Sequence, residues 1–353
     1  VAAFYGSHPT FVMASATIGN PAEHASKMIG MPTICVGESG APCGDRDVVV
    51  YNPPVVNQEL GIRQSYLKAA VKLTCDLLRA EVTTLVFGQS RTGVEVMLKY
   101  LREAMKDEPI NVDSVMGYRG GYLPGERRAI EARLRSGDIK CVVATNALEL
   151  GIDIGALDAV VCAGYPGSLA ALWQRFGRAG RRQSGSLAVL VASSAPLDQF
   201  FAQSPRRLVE DCVESARIDP NNMEILVQHI KCAAFELPFR SGDRFGTVPD
   251  DGLSDILKFL AHHEVLHMSK GDSHSTYHWA SEAYPASHVS LRSIGWDNFV
   301  IVDAQYERVL AEMDWRSAHT MLHEQAIYQH DGRQYQVERL DFDNRKAYVQ
   351  RVH

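Results

Sequence analysis

The stretch from Cys141 to Arg182, CVVATNALELGIDIGALDAVVCAGYPGSLAALWQRFGRAGRR, constrains the fold most. A short apolar run, Cys141 to Ala144, stops at Thr145, and a second, Leu157 to Ala163, stops at Gly164. Gly151-Ile152-Asp153 sits between them, and a helix-like segment ending in Gln174-Arg175-Phe176-Gly177-Arg178-Ala179-Gly180-Arg181 follows. Uninterrupted apolar runs that open into polar loops read as buried parallel strands, and open α/β sheets bind ligands at the carboxyl ends of such strands. Glycines there let backbone approach a ligand closely. Arg175, Arg178 and Arg181 recur every three residues, so one helical face carries them, and no carboxylate lies between Trp173 and Arg182. Guanidinium groups without a neighbouring acid suit phosphate, which they grip bidentately.

Strand and helix patterns alternate over residues 48–196. Thr83–Phe87, Val112–Met116 and Leu187–Val191 read as strands; Arg63–Arg79, Gly93–Met105 and Gly125–Arg135 read as helices. Such alternation predicts a parallel sheet with right-handed crossovers. Upstream, Thr10–Ala14 reads as a strand ending in Ser15-Ala16-Thr17, and Asn20-Pro21-Ala22-Glu23 as a capped helix start. A turn-rich connector, Gly37 to Asp45, separates the two regions. Downstream, Pro196–Pro220 is a connector with a helix over Pro205–Glu214. Ile225–Phe235 and Leu253–Leu266 have helical spacing, and Lys270–Trp279 reads as a turn and short strand. From Val289 the pattern is β, with Asp331-Gly332 and Asp343-Asn344 as hairpin turns and Ser317–Glu324 as a loop or turn.

Composition narrows the class. At 353 residues there is core enough for two or three domains, and 46% hydrophobic with 22% charged residues is ordinary for a globular protein. A net charge of −6 argues against a surface basic all over, though not against a local nucleic-acid track. The seven cysteines form no C-x-x-C pair and read as reduced core residues of a cytosolic protein. No apolar run approaches the ~18 residues of a membrane span, and no signal peptide is visible. Histidines 262, 263, 267, 274 and 278 lack zinc-ligand spacing, so no metal site is assigned.

Thr145–Asp153 (TNALELGID) and Gln174–Arg181 (QRFGRAGR) resemble motifs V and VI of superfamily 2 helicases. Ser15-Ala16-Thr17 resembles motif III, and Phe87-Gly88-Gln89-Ser90-Arg91 resembles motif IV. Tyr51-Asn52-Pro53-Pro54, Ile218-Asp219-Pro220-Asn221-Asn222, Gln228–Phe239, Ser290-Leu291-Arg292, Asn298-Phe299 and the last strands are similar to the MrfA/YprA family of bacterial mitomycin-repair DNA helicases, relatives of the eukaryotic RecQ-fourth-type helicases. The resemblance runs over most of the chain. It implies an α/β architecture: a RecA-like parallel-sheet domain, then a winged-helix domain and a small antiparallel β domain. Residues 1–47 are expected to be the remnant of a first RecA-like domain and a linker. The second RecA-like domain spans 48–196, a connector 197–220, the winged helix 221–285 and the β-sheet or barrel domain 286–353.

The family's phosphate-cradling G-x-x-x-x-G-K-[ST] loop and DE-x-H box do not occur in this sequence, and neither does its distal zinc cysteine cluster. The chain therefore reads as the C-terminal motor half of an ATP-dependent DNA helicase, 3′ to 5′ and in DNA repair, and as inactive alone. ATP and Mg²⁺ would be held in the intact parent by the missing N-terminal RecA-like domain. On this resemblance Arg178 and Arg181 are arginine fingers, and Arg175 pairs with acids of the absent box. Gly151 and Asp153 line the nucleotide, with Asp153 accepting from the ribose. Ser90, Arg91, Arg119, Gly120 and Thr145 hold nucleic-acid backbone; by its position Ser90 equally fits a helix cap. Ser15, Thr17 and Gln174 couple the two sites. The implied partners are single-stranded DNA and a duplex junction, in a cytoplasmic, nucleoid-associated bacterial protein. The alternative is a catalytically silent module that binds nucleic acid or docks protein.

Overall fold

The computed structural model describes residues 6–38, 40, 44–149, 157–180, 185–219, 222–271, 274–289 and 298–352. Its contacts divide into two units, residues 1–216 with 297–353, and residues 217–296.

The larger unit begins with an extended segment and one helix, α1 (Pro21–Ile29). Pro21 opens the helix and Gly30, at φ 71°, closes it in the left-handed region that only glycine enters cheaply. Asn20 does not cap it. Its side chain instead donates to Ala216 O (3.2 Å) and accepts from Ala216 N–H (2.8 Å). The strand expected over Thr10–Ala14 does not form, and Phe11, Val12 and Met13 are exposed. A strand needs a neighbour for its backbone groups, and no described strand lies beside this one.

Then follow β1 (Arg46–Tyr51), the small hairpin β2 (Val55–Asn57) and β3 (Ile62–Arg63), α2 (Tyr66–Arg79), β4 (Thr84–Phe87), α3 (Arg91–Ala104), β5 (Val115–Tyr118), α4 (Pro124–Ser136), β6 (Cys141–Ala144), β7 (Ala159–Ala163), α5 (Leu169–Phe176) and β8 (Ser186–Val191). Six strands make one parallel sheet in the order β1-β8-β7-β4-β6-β5. Because side chains alternate along a strand, each strand feeds both faces. Leu85, Phe87, Val142, Ala144, Val160 and Cys162 pack against α4 and α5 through Ile130, Leu134, Leu172 and Phe176. Val86, Val143, Val161 and Ala163 pack against α2 and α3 through Ala70, Cys75, Val94, Leu98 and Leu101. Coverage on both faces explains why these strands are continuous apolar runs. The connector holds α6 (Pro196–Gln203) and α7 (Arg207–Glu210), so the expected Pro205–Glu214 helix is a single turn. Cys75, Cys141 and Cys162 are buried core thiols, whereas Cys35 and Cys212 are exposed, unlike the core placement expected for them.

The smaller unit contains α8 (Met223–Glu236), β9 (Phe239–Arg240), α9 (Asp250–His262), β10 (Leu266–Lys270) and β11 (Ser275–Trp279). Its sheet runs β10-β11-β9, antiparallel throughout. Leu226, Ile230, Leu253, Leu257 and Leu260 bury against Phe239, Leu266 and Tyr277. The second helix stops earlier than its apolar spacing suggests. Glu264 takes φ 58° and Val265 N–H returns to Leu260 O, releasing Leu266–Lys270 as the first strand of a hairpin. Two helices and a hairpin make a winged helix.

The chain then rejoins the larger unit with β12 (Asn298–Asp303), β13 (Arg308–Asp314), α10 (Trp315–Met321), β14 (Ile327–His330), β15 (Arg333–Asp341) and β16 (Lys346–Val352). The sheet order is β13-β12-β16-β15-β14. It is mixed rather than antiparallel throughout, because β12 and β16 pair in parallel. Trp315–Met321 is a helix, not the expected loop: Asp314 accepts from Ser317 N–H at 2.9 Å and caps it. Asp331 and Gly332, at φ 51° and 72°, form the two-residue turn that the dipeptide favours.

Candidate nucleotide and nucleic-acid interface

Register brings the loops of the parallel sheet together. Phe87 pairs with Ala144 and Cys162, and Tyr118 pairs with Ala144, so β5, β6, β4 and β7 end level at one rim. Ser90, Gly120 and Thr145 leave that rim on neighbouring strands. Ser90 is exposed, caps α3 by accepting from Gly93 N–H at 3.0 Å, and is followed by a partly exposed Arg91. Gly120 is exposed, and nothing lies within 4 Å of where a Cβ would stand. Thr145 is half-buried, its N–H directed to Tyr118 O.

The two motif-like stretches meet through one residue. Arg175, on α5, is 6% exposed; its Nε donates to Glu149 Oε2 at 2.9 Å and its guanidinium lies over the Phe87 ring at 5.1 Å. Arg178 donates from Nη2 to the backbone carbonyl of Glu149 at 2.7 Å. Leu157 and Ala179 form a bridge, Gly180 N–H donates to Leu157 O, and Arg46 Nη2 donates to Ala179 O at 2.7 Å. Glu149 thus ties the loop after β6 to the end of α5. This corrects two expectations. Arg175 has an acidic partner in its own unit, supplied by the other motif rather than by an absent box. The arginine face is likewise not without acid. Arg175 Nη1, however, is buried and finds no acceptor among the described residues. Gln174 is half-buried beside it. Gly151, Asp153 and Arg181 lie outside the described residues.

Arg119 is corrected more strongly. It was expected on nucleic-acid backbone, but it is 1% exposed. Its Nε donates to Glu95 Oε1 at 2.7 Å, and its Nη2 donates to Tyr328 Oη at 3.0 Å and Gln329 O at 2.8 Å. Glu95 also accepts from Tyr122 Oη (3.1 Å) and Gly332 N–H (2.7 Å). The charge is spent on a seam between the parallel sheet and the β-rich region, where β13 also pairs Ala311 with Tyr122. Burial pushes the Tyr122 phenol well up, with Glu95 adding to it. Burial pushes His330, in the same seam, down to about 4, and the Arg119 charge adds to that.

Other rim residues carried no sequence signal. Asp198, 2% exposed, accepts from Tyr165 N–H (3.0 Å) and Ser193 N–H (2.8 Å), pinning the loops after β7 and β8. Glu214 accepts from Leu169 and Ala170 N–H at the start of α5, at 2.7 and 2.9 Å. Burial raises its pKa, but those two bonds prevail and hold it below the usual carboxylate range. Ser15 is exposed and Thr17 half-buried, in the extended segment before α1. Among the described residues, no group of three or more His, Cys, Asp or Glu is placed to hold a metal, and no helix is long and apolar enough to cross a membrane.

Comparison with known proteins bears on this arrangement. Residues 69–183 match the helicase conserved C-terminal domain, and 218–294 match the winged helix domain of the ATP-dependent helicase HRQ1. The uncharacterized ATP-dependent helicase YprA of Bacillus subtilis is 50% identical over 352 residues, covering 99% of this chain and 46% of that protein. The chain belongs to the MrfA/YprA family of superfamily 2 helicases. A crystal structure of the DUF1998 helicase MrfA bound to DNA superimposes with a TM-score of 0.87 at 50% identity, over 99% of this chain and 49% of that one; a second holds DNA and AMPPNP. ATP-dependent helicase HRQ1 of Saccharomyces cerevisiae is 36% identical over 97% of this chain and 32% of its own length. The chain therefore spans half or less of the length of these MrfA/YprA-type relatives.

Proposed function

We propose that this chain is the C-terminal motor half of an ATP-dependent DNA helicase that travels 3′ to 5′ and serves DNA repair in the bacterial cytoplasm, at the nucleoid. The observation that carries the reading is the Glu149 tie. It locks the nucleotide-facing arginines to the loop that begins at Thr145, beside the rim that exposes Ser90 and Gly120. A lobe built this way senses phosphate with one set of groups and nucleic-acid backbone with another, a few residues apart.

ATP with Mg²⁺ fits as a ligand shared with a first RecA-like lobe. Arg175 Nη1 is buried and has no acceptor among the described residues. Arg178 and Arg181 are the proposed fingers on the terminal phosphate, Gly151 and Asp153 the contacts to the rest of the nucleotide. Bound Mg²⁺ would neutralise phosphate charge. This chain's part is to present fixed guanidinium groups, and preorganised donors of that kind need no rearrangement as charge develops. Ser90, Arg91, Gly120 and Thr145 hold the strand's phosphates; Arg119 acts behind them. Ser15, Thr17 and Gln174 couple the sites, and the winged helix meets the duplex junction.

Alone, the chain is expected not to hydrolyse ATP, because it has no phosphate loop and no acidic box. Phosphate release assayed with single-stranded DNA checks this, and robust turnover refutes it. In the longer protein, Arg178→Ala should lower turnover by on the order of 10³ while sparing DNA affinity. Equal loss of both would assign Arg178 a folding role.

A further inference from the structure

The β-rich region carries an exposed aromatic step. Trp315 and Phe342 keep 48% and 51% of their surface open. Exposed His319 lies between them. Its ring stacks on Phe342, with centroids 5.2 Å apart and planes 23° apart, and meets Trp315 nearly at right angles at 4.2 Å. Phe299, fully buried, meets Phe342 edge-on at 5.7 Å. The step is therefore seated on the region's core, and Asp314 capping fixes the helix that bears Trp315 and His319.

Its position is informative. Glu312 N–H donates to Gly121 O at 3.2 Å, so β13 runs past the rim loops. Two residues on, Asp314 Oδ2 lies 3.7 Å from Arg91 Nη2, so the start of the helix that bears Trp315 lies within reach of the Arg91 side chain. Phosphates held by Ser90, Gly120 and Thr145 carry bases that need somewhere to go. Flat aromatic faces accept any base, because every base has a π-face.

We propose that Trp315, backed by His319 and Phe342, is a base-stacking platform for single-stranded DNA that leaves the Ser90–Gly120–Thr145 rim. This rests on the DNA-helicase reading above and adds a grip on bases to one on phosphates. Stacking also suits a motor that must work on any sequence.

The test uses the 353-residue chain and two labelled oligomers of about 16 nucleotides, within the range of single-strand site sizes. One is oligothymidine; the other is abasic throughout, with the same phosphates. Fluorescence anisotropy should show oligothymidine binding the tighter. Trp315→Ala should weaken it by on the order of tenfold and leave the abasic oligomer unchanged, and Trp315→Phe should restore most of the loss. If Trp315→Ala changes neither affinity, or weakens both alike, the platform is refuted while the motor reading stands. If the unaltered chain binds neither oligomer, both readings fall.

Discussion

Two buried arginine–glutamate pairs stand near the same rim, and their difference separates structure from function. At the seam, Arg119 and Glu95 are each 1% exposed at the side chain and 2.7 Å apart. Tyr122, Tyr328, Gln329 and Gly332 add four further hydrogen bonds, while Gln329 Oε1 and His330 Nδ1 stay buried without a partner among the described residues. In the second pair, Arg175 and Glu149 are 7% and 13% exposed and 2.9 Å apart, and Arg175 Nη1 has no acceptor among the described residues. The first network ties the parallel sheet to the β-rich region; the second ties the loop after β6 to the end of α5. A buried polar group without a partner costs free energy.

The comparison breaks most directly at the Arg119–Glu95 pair. Glu95→Ala leaves Arg119 charged and buried without its carboxylate, a change that costs about 3–5 kcal/mol. Urea denaturation should show that loss, and Glu95→Leu with Arg119→Met should recover most of it, since apolar replacement of a whole buried pair is often neutral or better. Glu149→Ala should cost less, because water reaches that pair more easily. Equal losses at the two sites would erase the distinction between the two pairs.

The same seam predicts a smaller, pH-dependent effect. His330 is 6% exposed, held neutral by burial and by the Arg119 charge, with its pKa down at about 4 against an ordinary value near 6.5. Between those values the unfolded chain binds the proton and the folded one does not. Stability is then complete above pH ~6.5 and falls as the pH drops toward ~4, by about 2–3 kcal/mol from this residue. His330→Phe should flatten the dependence of the urea midpoint on pH in that window. An unchanged slope would assign the acid sensitivity elsewhere.

These pairs also mark what sequence could and could not carry. The strands and rim loops were legible because their cause is local: apolar runs, then glycine, serine or proline. Helix ends moved by a few residues, where caps and positive φ values act. Arg119 was misplaced because its neighbourhood, Gly120-Gly121, looks like a phosphate loop, while its partners lie 24 residues back in α3 and 209 onward in β14. Glu95 left one trace, a carboxylate between Val94 and Met97 on the apolar side of its helix. Glu149 was in plain view between Leu148 and Leu150, but nothing in the spacing says that an acid in one motif serves an arginine in another. The exposed Thr10–Ala14 segment shows the opposite limit: β-like composition forms no strand where no described strand supplies the other half of the ladder.

Ser90 gives the smallest effect and the finest division, since one hydroxyl is both helix cap and proposed phosphate contact. Ser90→Ala removes both roles and should cost about 1 kcal/mol of stability along with some DNA affinity, so it cannot separate them. Ser90→Asp can. An aspartate accepts from Gly93 N–H as well as serine does and adds a charge favoured by the first turn of α3, so stability should hold or rise slightly. The same charge would face a phosphate, so single-strand affinity should fall, and the fall should shrink as salt rises and screens the repulsion. Anisotropy titrations at low and moderate salt, beside urea midpoints, decide it. If Ser90→Asp binds DNA as well as the unaltered chain at every salt concentration, the hydroxyl is a cap alone and the strand's phosphates pass elsewhere along the rim.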